Sequence, residues 1–194
     1  MDTGIIILAA GSSTRMGRSK QLMELNDETL IARAVRIAGD SGMKVVVVLG
    51  ADDKKHAEVI RNMKVDTVFN PDWQSGMASS IKAGLRHFSG NKSIHAVIVM
   101  VCDQPLLTSA HLTNLRDQWI STNKPIIASY YAGTVGVPAL FDQSIFPEML
   151  TLTGEGGAKK IIQNHPDKIA GVIFPEGSVD LDTPDDYKNF LDRK

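Results

Sequence analysis

The chain has very little cysteine, since Cys102 is the single one among 194 residues. One cysteine excludes an intrachain disulfide and a zinc site built from several thiolates, so the cytoplasm is the expected location. An excess of charge of one sign is also missing, because 21 Lys and Arg stand against 22 Asp and Glu, for a formal net charge of −1. We therefore expect small molecules or proteins as partners and no nucleic acid.

Long hydrophobic runs are absent as well. The N-terminal apolar run is short, has no basic leader and is followed directly by charged residues, so neither a signal peptide nor a membrane span is expected. With 43% hydrophobic residues, the chain is long enough for one full core and too short for two comfortable ones. We expect a single domain over residues 1–194.

Short apolar runs alternate with amphipathic stretches over much of the chain. Strands are predicted over residues 5–9, 45–49, 67–69, 97–101 and 126–130, and helices over residues 29–38, 54–62, 77–88 and 109–120. This alternation predicts an α/β fold with a Rossmann-like, doubly wound, mostly parallel sheet. From Gly133 onward the alternation loosens, and we expect that region to decorate one end of the sheet.

Ligands of such sheets bind beyond the carboxyl ends of the strands, which directs attention to the loops that follow strands. The first loop reads LAAGSSTRMGRSK, over residues 8–20. Its small residues 11–13 allow backbone N–H groups to point inward, and Arg15 and Lys20 add positive charge suited to a polyphosphate. Neither GxxxxGK[ST] nor GxGxxG spacing occurs here. Spacing alone fits a solvated basic turn equally well.

Two acidic segments come later in the chain. Asp103, in VCDQPLL, follows a predicted buried strand and is placed to bind a hard divalent cation, although on its own it fits a turn cap better. In VDLDTPDDY, Asp180 and Asp182 alternate on one face of an extended segment, so either is a candidate metal ligand. Asp185 and Asp186 fall in the first turn of a predicted helix, where they complement its dipole.

Taken together, LAAGSSTRMGRSK, VCDQP and DLDTP resemble, in this order, the nucleotidyltransferases that activate the molybdenum cofactor. Within that group, residues 70–85 (NPDWQSGMASSIKAGL) and 136–162 (GVPALF to GEGGAKKII) resemble the molybdenum cofactor cytidylyltransferase family. The resemblance implies a fold of the nucleotide-diphospho-sugar transferase type. It also implies transfer of CMP from CTP to the terminal phosphate of molybdopterin, with Mg²⁺ as cofactor and pyrophosphate as product. An apo molybdenum hydroxylase is a further implied partner.

The resemblance also assigns roles to individual residues. Arg15, Lys20 and Asp103 are the implied catalytic residues, and Asp103 and Asp182 the implied magnesium ligands. The attacking group is the substrate's own phosphate oxygen, so the protein needs no nucleophile and must position and neutralise charge. The Ala-Ala of LAAG accompanies CTP in this family, whereas Gly-Gly accompanies GTP. The implied nucleotide-binding residues are Leu8, Ala9, Ala10, Gly11, Gly76, Ser79 and Ser80.

Other residues have simpler interpretations. Ser79 and Ser80 fit a plain helix cap as well as a ligand site. Trp73 is expected in the core rather than stacked on a ring, and Lys159 is expected to be a solvated helical lysine. Val101 stands where many relatives carry a proline or a small residue. No metal-binding spacing joins the histidines, which are expected to be exposed or hydrogen-bonded: His56, His87, His95, His111 and His165.

Three alternative functions share these leading motifs. They are a sugar- or polyol-phosphate nucleotidyltransferase, a molybdopterin guanylyltransferase and a non-catalytic, cofactor-carrying chaperone. The joint presence of Arg15, Lys20, Asp103 and Asp182 favours an enzyme, because a carrier has no chemical need for all four. The acceptor substrate depends on the less specific middle and late segments.

Overall fold

The computed structural model describes residues 2–90 and 93–192, without the side chain of Arg15. The strands are β1 (Asp2–Ala9), β2 (Glu24–Leu25), β3 (Glu28–Thr29), β4 (Lys44–Leu49), β5 (Asp66–Phe69), β6 (Ile94–Val101), β7 (Ile126–Tyr131), β8 (Thr134–Asp142) and β9 (Ile169–Ile173). The α-helices are α1 (Leu30–Asp40), α2 (Asp53–Ile60), α3 (Met77–Ser89), α4 (Ser109–Thr122), α5 (Phe146–Thr151), α6 (Gly157–Asn164) and α7 (Pro184–Asp192). The predicted α/β fold is confirmed.

The central feature is a seven-stranded sheet in the order β5-β4-β1-β6-β8-β7-β9. β5, β4, β1 and β6 run parallel to one another. Successive side chains of β1 enter opposite layers, because strand residues alternate in direction: Ile5 and Ile7 pack in one core cluster and Ile6 in the other. Burial on both faces explains the uninterrupted β-branched run of residues 5–7 in this strand.

The expectation that the chain from Gly133 onward decorates an end of the sheet is wrong. β8 lies inside the sheet, antiparallel to both β6 and β7. The strand was hidden in the sequence by Pro138, which is rare in a central strand because it cannot donate to the ladder. Ala128 pairs with Ala139 but Ser129 pairs with Gly136, so the intervening residues form an irregularity that accommodates the proline.

Parallel strands bring the loops that follow them to one edge of the sheet. Two backbone hydrogen bonds tie these loops together: the Ala51 N–H donates to the Ala10 carbonyl, and the Leu181 N–H donates to the Asp103 carbonyl, both at 3.0 Å. The second bond fastens the segment before α7 to the loop after β6. Within the described ranges, none of the helices has the length and apolar character needed to cross a membrane.

Candidate active site

A cleft of about 630 Å³ opens at the carboxyl ends of β1 and β6, where the sequence places the candidate ligand site. It combines small residues, charged groups and one aromatic ring. Its lining residues are Leu8, Ala10, Gly11, Ser12, Thr14, Lys20, Gln21, Trp73, Gln74, Gly76, Met77, Ser80, Val101, Cys102, Asp103 and Glu155.

Lys20 joins the two acidic segments at the edge of this cleft. It lies in a short 3₁₀ helix, Lys20–Leu22, and its Nζ donates to Oδ2 of Asp103 and, at 2.8 Å, to Oδ1 of Asp182. Burial opposes the charge of Lys20, but attraction to the two carboxylates outweighs it and raises the lysine pKa. Lys20 therefore stays protonated, and the structure brings together three of the residues that the sequence singled out.

The carboxylates of Asp103 and Asp182 suit a hard cation that takes only one or two of its ligands from the protein. Oδ1 of Asp103 is buried and has no hydrogen-bond partner among the described residues, so one carboxylate oxygen at the cleft is left for a ligand. No group of three or more His, Cys, Asp or Glu side chains in the described part of the chain forms a metal cage. Magnesium usually takes one or two protein carboxylates and completes its shell with phosphate and water. Asp103 and Asp182 match that requirement.

Asp180 is placed differently from Asp182. Its carboxyl makes no ion pair with Lys20, and partial loss of water, together with repulsion from Asp103 and Asp182, raises its pKa to about 6. The three aspartates concentrate negative charge around one ammonium group. Asp186 accepts hydrogen bonds from the backbone and hydroxyl of Thr183 at 2.8 and 2.7 Å, which makes it part of the cap of α7.

The loop after β1 is folded tightly. A 3₁₀ turn, Thr14–Met16, lies between left-handed residues Ser13 (φ 53°) and Gly17 (φ 68°). Arg15 belongs to this turn, but its side chain lies outside the described residues and its role stays a prediction. Gly11 reaches the cleft, as its motif predicts.

The three apolar residues of the same motif, Leu8, Ala9 and Ala10, do not all face the cleft. Leu8 and Ala10 line the cleft, whereas Ala9 is fully buried in the core and does not. Successive strand residues point to opposite faces, which explains the division. Ala10 also packs tightly against the loop after β4, because a Cβ added at Gly50 would lie 2.8 Å from the Ala10 Cβ.

The start of α3 closes another side of the cleft. Gly76 has φ 101°, and a Cβ there would lie 2.5 Å from the Gly154 carbonyl carbon. The conformation and the close approach both require glycine. This contact brings the Gly-rich segment 154–157, and with it Glu155, to the cleft.

The structure separates the two serines of this helix. Ser80 lines the cleft, whereas Ser79 lines a second depression together with Asn70, Asp72 and Lys82. The Ser79 hydroxyl accepts from Asn70 Nδ2 at 2.8 Å and donates to the Gly76 carbonyl at 2.8 Å. Among the described residues, Ser79 thus stabilises the first turn of α3 through its side-chain hydrogen bonds.

Several cleft residues were missed or misplaced by sequence reasoning. Trp73, expected in the core, is only partly buried and lines the cleft, so that expectation is wrong. Gln74, Met77 and Glu155 were not singled out, although each lies inside a segment that carried the family resemblance. Burial raises the pKa of Cys102 to about 12, so its thiol stays protonated and unreactive.

A mostly parallel sheet with a ligand cleft at the carboxyl ends of its strands is the arrangement of nucleotide-binding α/β proteins. Residues 5–169 match the model of the MobA-like NTP transferase domain, and the chain belongs to that family. The family resemblance noted in the sequence motifs is confirmed.

Curated relatives cover most of the chain. It is 24% identical over 193 residues to the purine catabolism protein PucB of Bacillus subtilis (strain 168), and 23% identical over 188 residues to the molybdenum cofactor cytidylyltransferase of Escherichia coli (strain K12). Each alignment covers 94% of this chain and 92% of the relative. A probable molybdenum cofactor guanylyltransferase of Synechococcus elongatus is 29% identical over 118 residues, 61% of this chain and 59% of that protein.

Solved structures share the fold. Rv0371c from Mycobacterium tuberculosis superposes with a TM-score of 0.85 at 26% identity, over 99% of this chain and 98% of that one. A complex of Rv0371C with manganese gives a TM-score of 0.83 at 24% identity, over the whole of both chains.

Proposed function

We propose that the protein transfers CMP from CTP to the terminal phosphate of molybdopterin and releases pyrophosphate. The observation that carries the proposal is the convergence of Lys20, Asp103 and Asp182 beside a loop of small residues. Ala10 at the cleft and the alignment with the Escherichia coli cytidylyltransferase support cytidine as the base. The proposal places the reaction in the cytoplasm, with an apo molybdenum hydroxylase receiving the product.

Charge neutralisation is the main task of the protein in this reaction. The acceptor phosphate, the triphosphate and the leaving pyrophosphate are all anionic, so catalysis depends on positioning them and stabilising charge. Lys20 keeps its proton and can donate to phosphate oxygens, and Arg15 adds a second cation to the same loop. A Mg²⁺ ion held by Asp103 and Asp182 would supply further charge stabilisation between the phosphates.

No protein nucleophile enters this reaction. The acceptor's phosphate oxygen forms the new bond to the α-phosphorus of CTP, and the bond to pyrophosphate breaks. Cys102, which directly precedes Asp103 in the sequence, stays a protonated thiol because burial raises its pKa. The surfaces that take the nucleoside and the pterin are Leu8, Ala10, Gly76, Ser80 and Trp73.

Product identification tests the proposal. The protein is incubated with CTP, Mg²⁺ and molybdopterin, and the pterin product is analysed by mass spectrometry. We expect a molybdopterin species that is heavier by one cytidylyl group, which is CMP less one water, and none with Asp103→Asn. An unmodified pterin would instead point to another acceptor, and the same assay with sugar and polyol phosphates in place of molybdopterin then tests for one.

GTP is the second candidate donor. The guanylyltransferase relative from Synechococcus elongatus favours it, because that alignment has the higher identity, over a shorter length. If GTP replaces CTP in the same experiment, a product heavier by one guanylyl group, which is GMP less one water, would establish guanylyl transfer, and its absence with CTP would remove CTP from the proposal.

A further inference from the structure

A buried histidine contacts the end of the loop after β1. His56, on α2, is fully buried, and its Nε2 lies 2.7 Å from Oγ of Ser19, the residue immediately before Lys20. Burial lowers the His56 pKa despite the nearby acidic Asp52, so the ring is neutral near pH 7. The histidine therefore contacts the loop from outside the cleft as an uncharged group.

The direction of the hydrogen bond follows from the partner of Ser19. The Ser19 hydroxyl donates to Oε1 of Gln21 at 2.9 Å, so its oxygen is left to accept a proton from Nε2 of His56. Nδ1 of His56 is then a bare acceptor, and it is buried without a partner among the described residues. A buried polar atom without a partner is unfavourable, so simple packing would be served better by an apolar side chain.

Gln21 extends the contact to the whole loop. Its side chain is 2% exposed, and its Oε1 accepts from the hydroxyls of Ser13 and Ser19, each at 2.9 Å. Its Nε2 donates to the Gly11 carbonyl at 3.0 Å. One amide thus joins the beginning of the loop, at Gly11 and Ser13, to its end at Ser19, and His56 connects the Ser19 end to α2.

We propose that His56 is a positioning residue, which acts through Ser19 and Gln21 to hold residues 11–20 in the geometry that places Lys20 between Asp103 and Asp182. This role rests on the proposed function, since Lys20 is the group being positioned for transfer. An outer partner of this kind affects rate more than ground-state binding, because small displacements of a charge-stabilising group weaken its contact with the transition state.

The chain offers a matched control in a second buried histidine. His111 is 6% exposed, and its Nε2 lies 2.7 Å from Oγ of Ser129, so the same type of bond here joins α4 to β7 instead of α2 to the loop. We expect His56→Phe to lower kcat roughly 10- to 100-fold with a much smaller change in KM for CTP. His56→Gln, which keeps an amide donor near the position of Nε2, should recover most of kcat. His111→Phe should keep kcat within about threefold of the wild type.

Amide hydrogen exchange of residues 11–20 tests the same inference without activity. Exchange should accelerate in His56→Phe and stay near the wild-type rate in His56→Gln and His111→Phe. If His56→Phe does not fold, Ser19→Ala removes the bond from the loop side and should give the same result. If the wild type turns over no nucleotide, the proposed function is overturned. Amide hydrogen exchange by itself then decides whether His56 positions the loop. Equal loop exchange and equal kcat in His56→Phe and His111→Phe would overturn the inference.

Discussion

Nζ of Lys20 lies 2.8 Å from Oδ1 of Asp182, although 162 positions separate the two residues in the chain. The same ammonium group also donates to Asp103, from the loop after β6. Three segments that are distant in sequence therefore supply one compact group of charges at the cleft. We interpret this group as the place where a cation-bound polyphosphate is held.

Lys20→Ala removes the cation from that group. If Lys20 acts as one charge-stabilising donor in the transition state, its loss raises the barrier by about 2.7–4 kcal/mol, a fall in kcat of roughly 100- to 1000-fold. Steady-state pyrophosphate release measures the change, and Lys55→Ala, which removes an exposed lysine paired with Asp52 on the surface, serves as control. A fall of less than tenfold would contradict the role assigned to Lys20.

Asp103→Asn removes one negative charge while keeping the shape of the side chain. We expect metal-dependent transfer to be lost, because Asp103 carries the buried oxygen at the cleft that has no hydrogen-bond partner in the described part of the chain. Asp117→Asn, on the exposed surface of α4, should behave like the wild type. Chelation with EDTA should abolish wild-type transfer, and added Mg²⁺ should restore it. Transfer at the wild-type rate in Asp103→Asn would exclude Asp103 as a metal ligand.

Local patterns in the sequence were enough to predict the parallel part of the sheet. They also predicted the position of Asp103 at the ligand site, because ligand loops follow the carboxyl ends of buried strands. They did not reveal β8, whose Pro138 and Gly136 resemble a loop. Nor did they distinguish Asp180 from Asp182, since the difference lies in the contact of Asp182 with Lys20, which is far away in the sequence.

Side-chain direction was a further limit on the sequence-based account. Trp73 was expected inside, but the 3₁₀ turn Trp73–Ser75 presents it to the cleft. Ser79 and Ser80 are adjacent and alike in the sequence. Both accept from Nδ2 of Asn70, but the position of each around α3 decides which one reaches the cleft.

Ala10→Gly and Ala9→Gly form a matched pair for the choice of base. Ala10 lines the cleft, so its truncation should lower the ratio of kcat/KM for CTP to that for GTP. Ala9 is fully buried in the core, so Ala9→Gly should leave the ratio unchanged and lower the free energy of unfolding by about 0.5–1 kcal/mol. Equal ratios in both variants and the wild type would show that base selection lies elsewhere.

His111 makes stability depend on pH. Burial lowers its pKa from 6.5 to about 4, so between these values the unfolded chain binds a proton that the folded chain does not. The contribution of His111 to the free energy of unfolding is fully present above pH 6.5 and is lost as the pH falls towards 4. The free energy of unfolding falls by up to ~1.4 kcal/mol per pH unit in this range.

Denaturant titrations of the wild type and His111→Phe between pH 7 and pH 4.5 measure this contribution. The variant should lose less stability than the wild type as the solution is acidified. Parallel curves for the two proteins would show that His111 contributes nothing to the pH dependence.

The most direct measurement is pyrophosphate release with each of the four NTPs and Mg²⁺, with and without molybdopterin freshly released from a molybdenum enzyme. The account predicts release with CTP, and only when molybdopterin is present. No pyrophosphate release with any of the four nucleotides, despite measurable CTP binding, would contradict the proposed transfer and favour a carrier or a different acceptor.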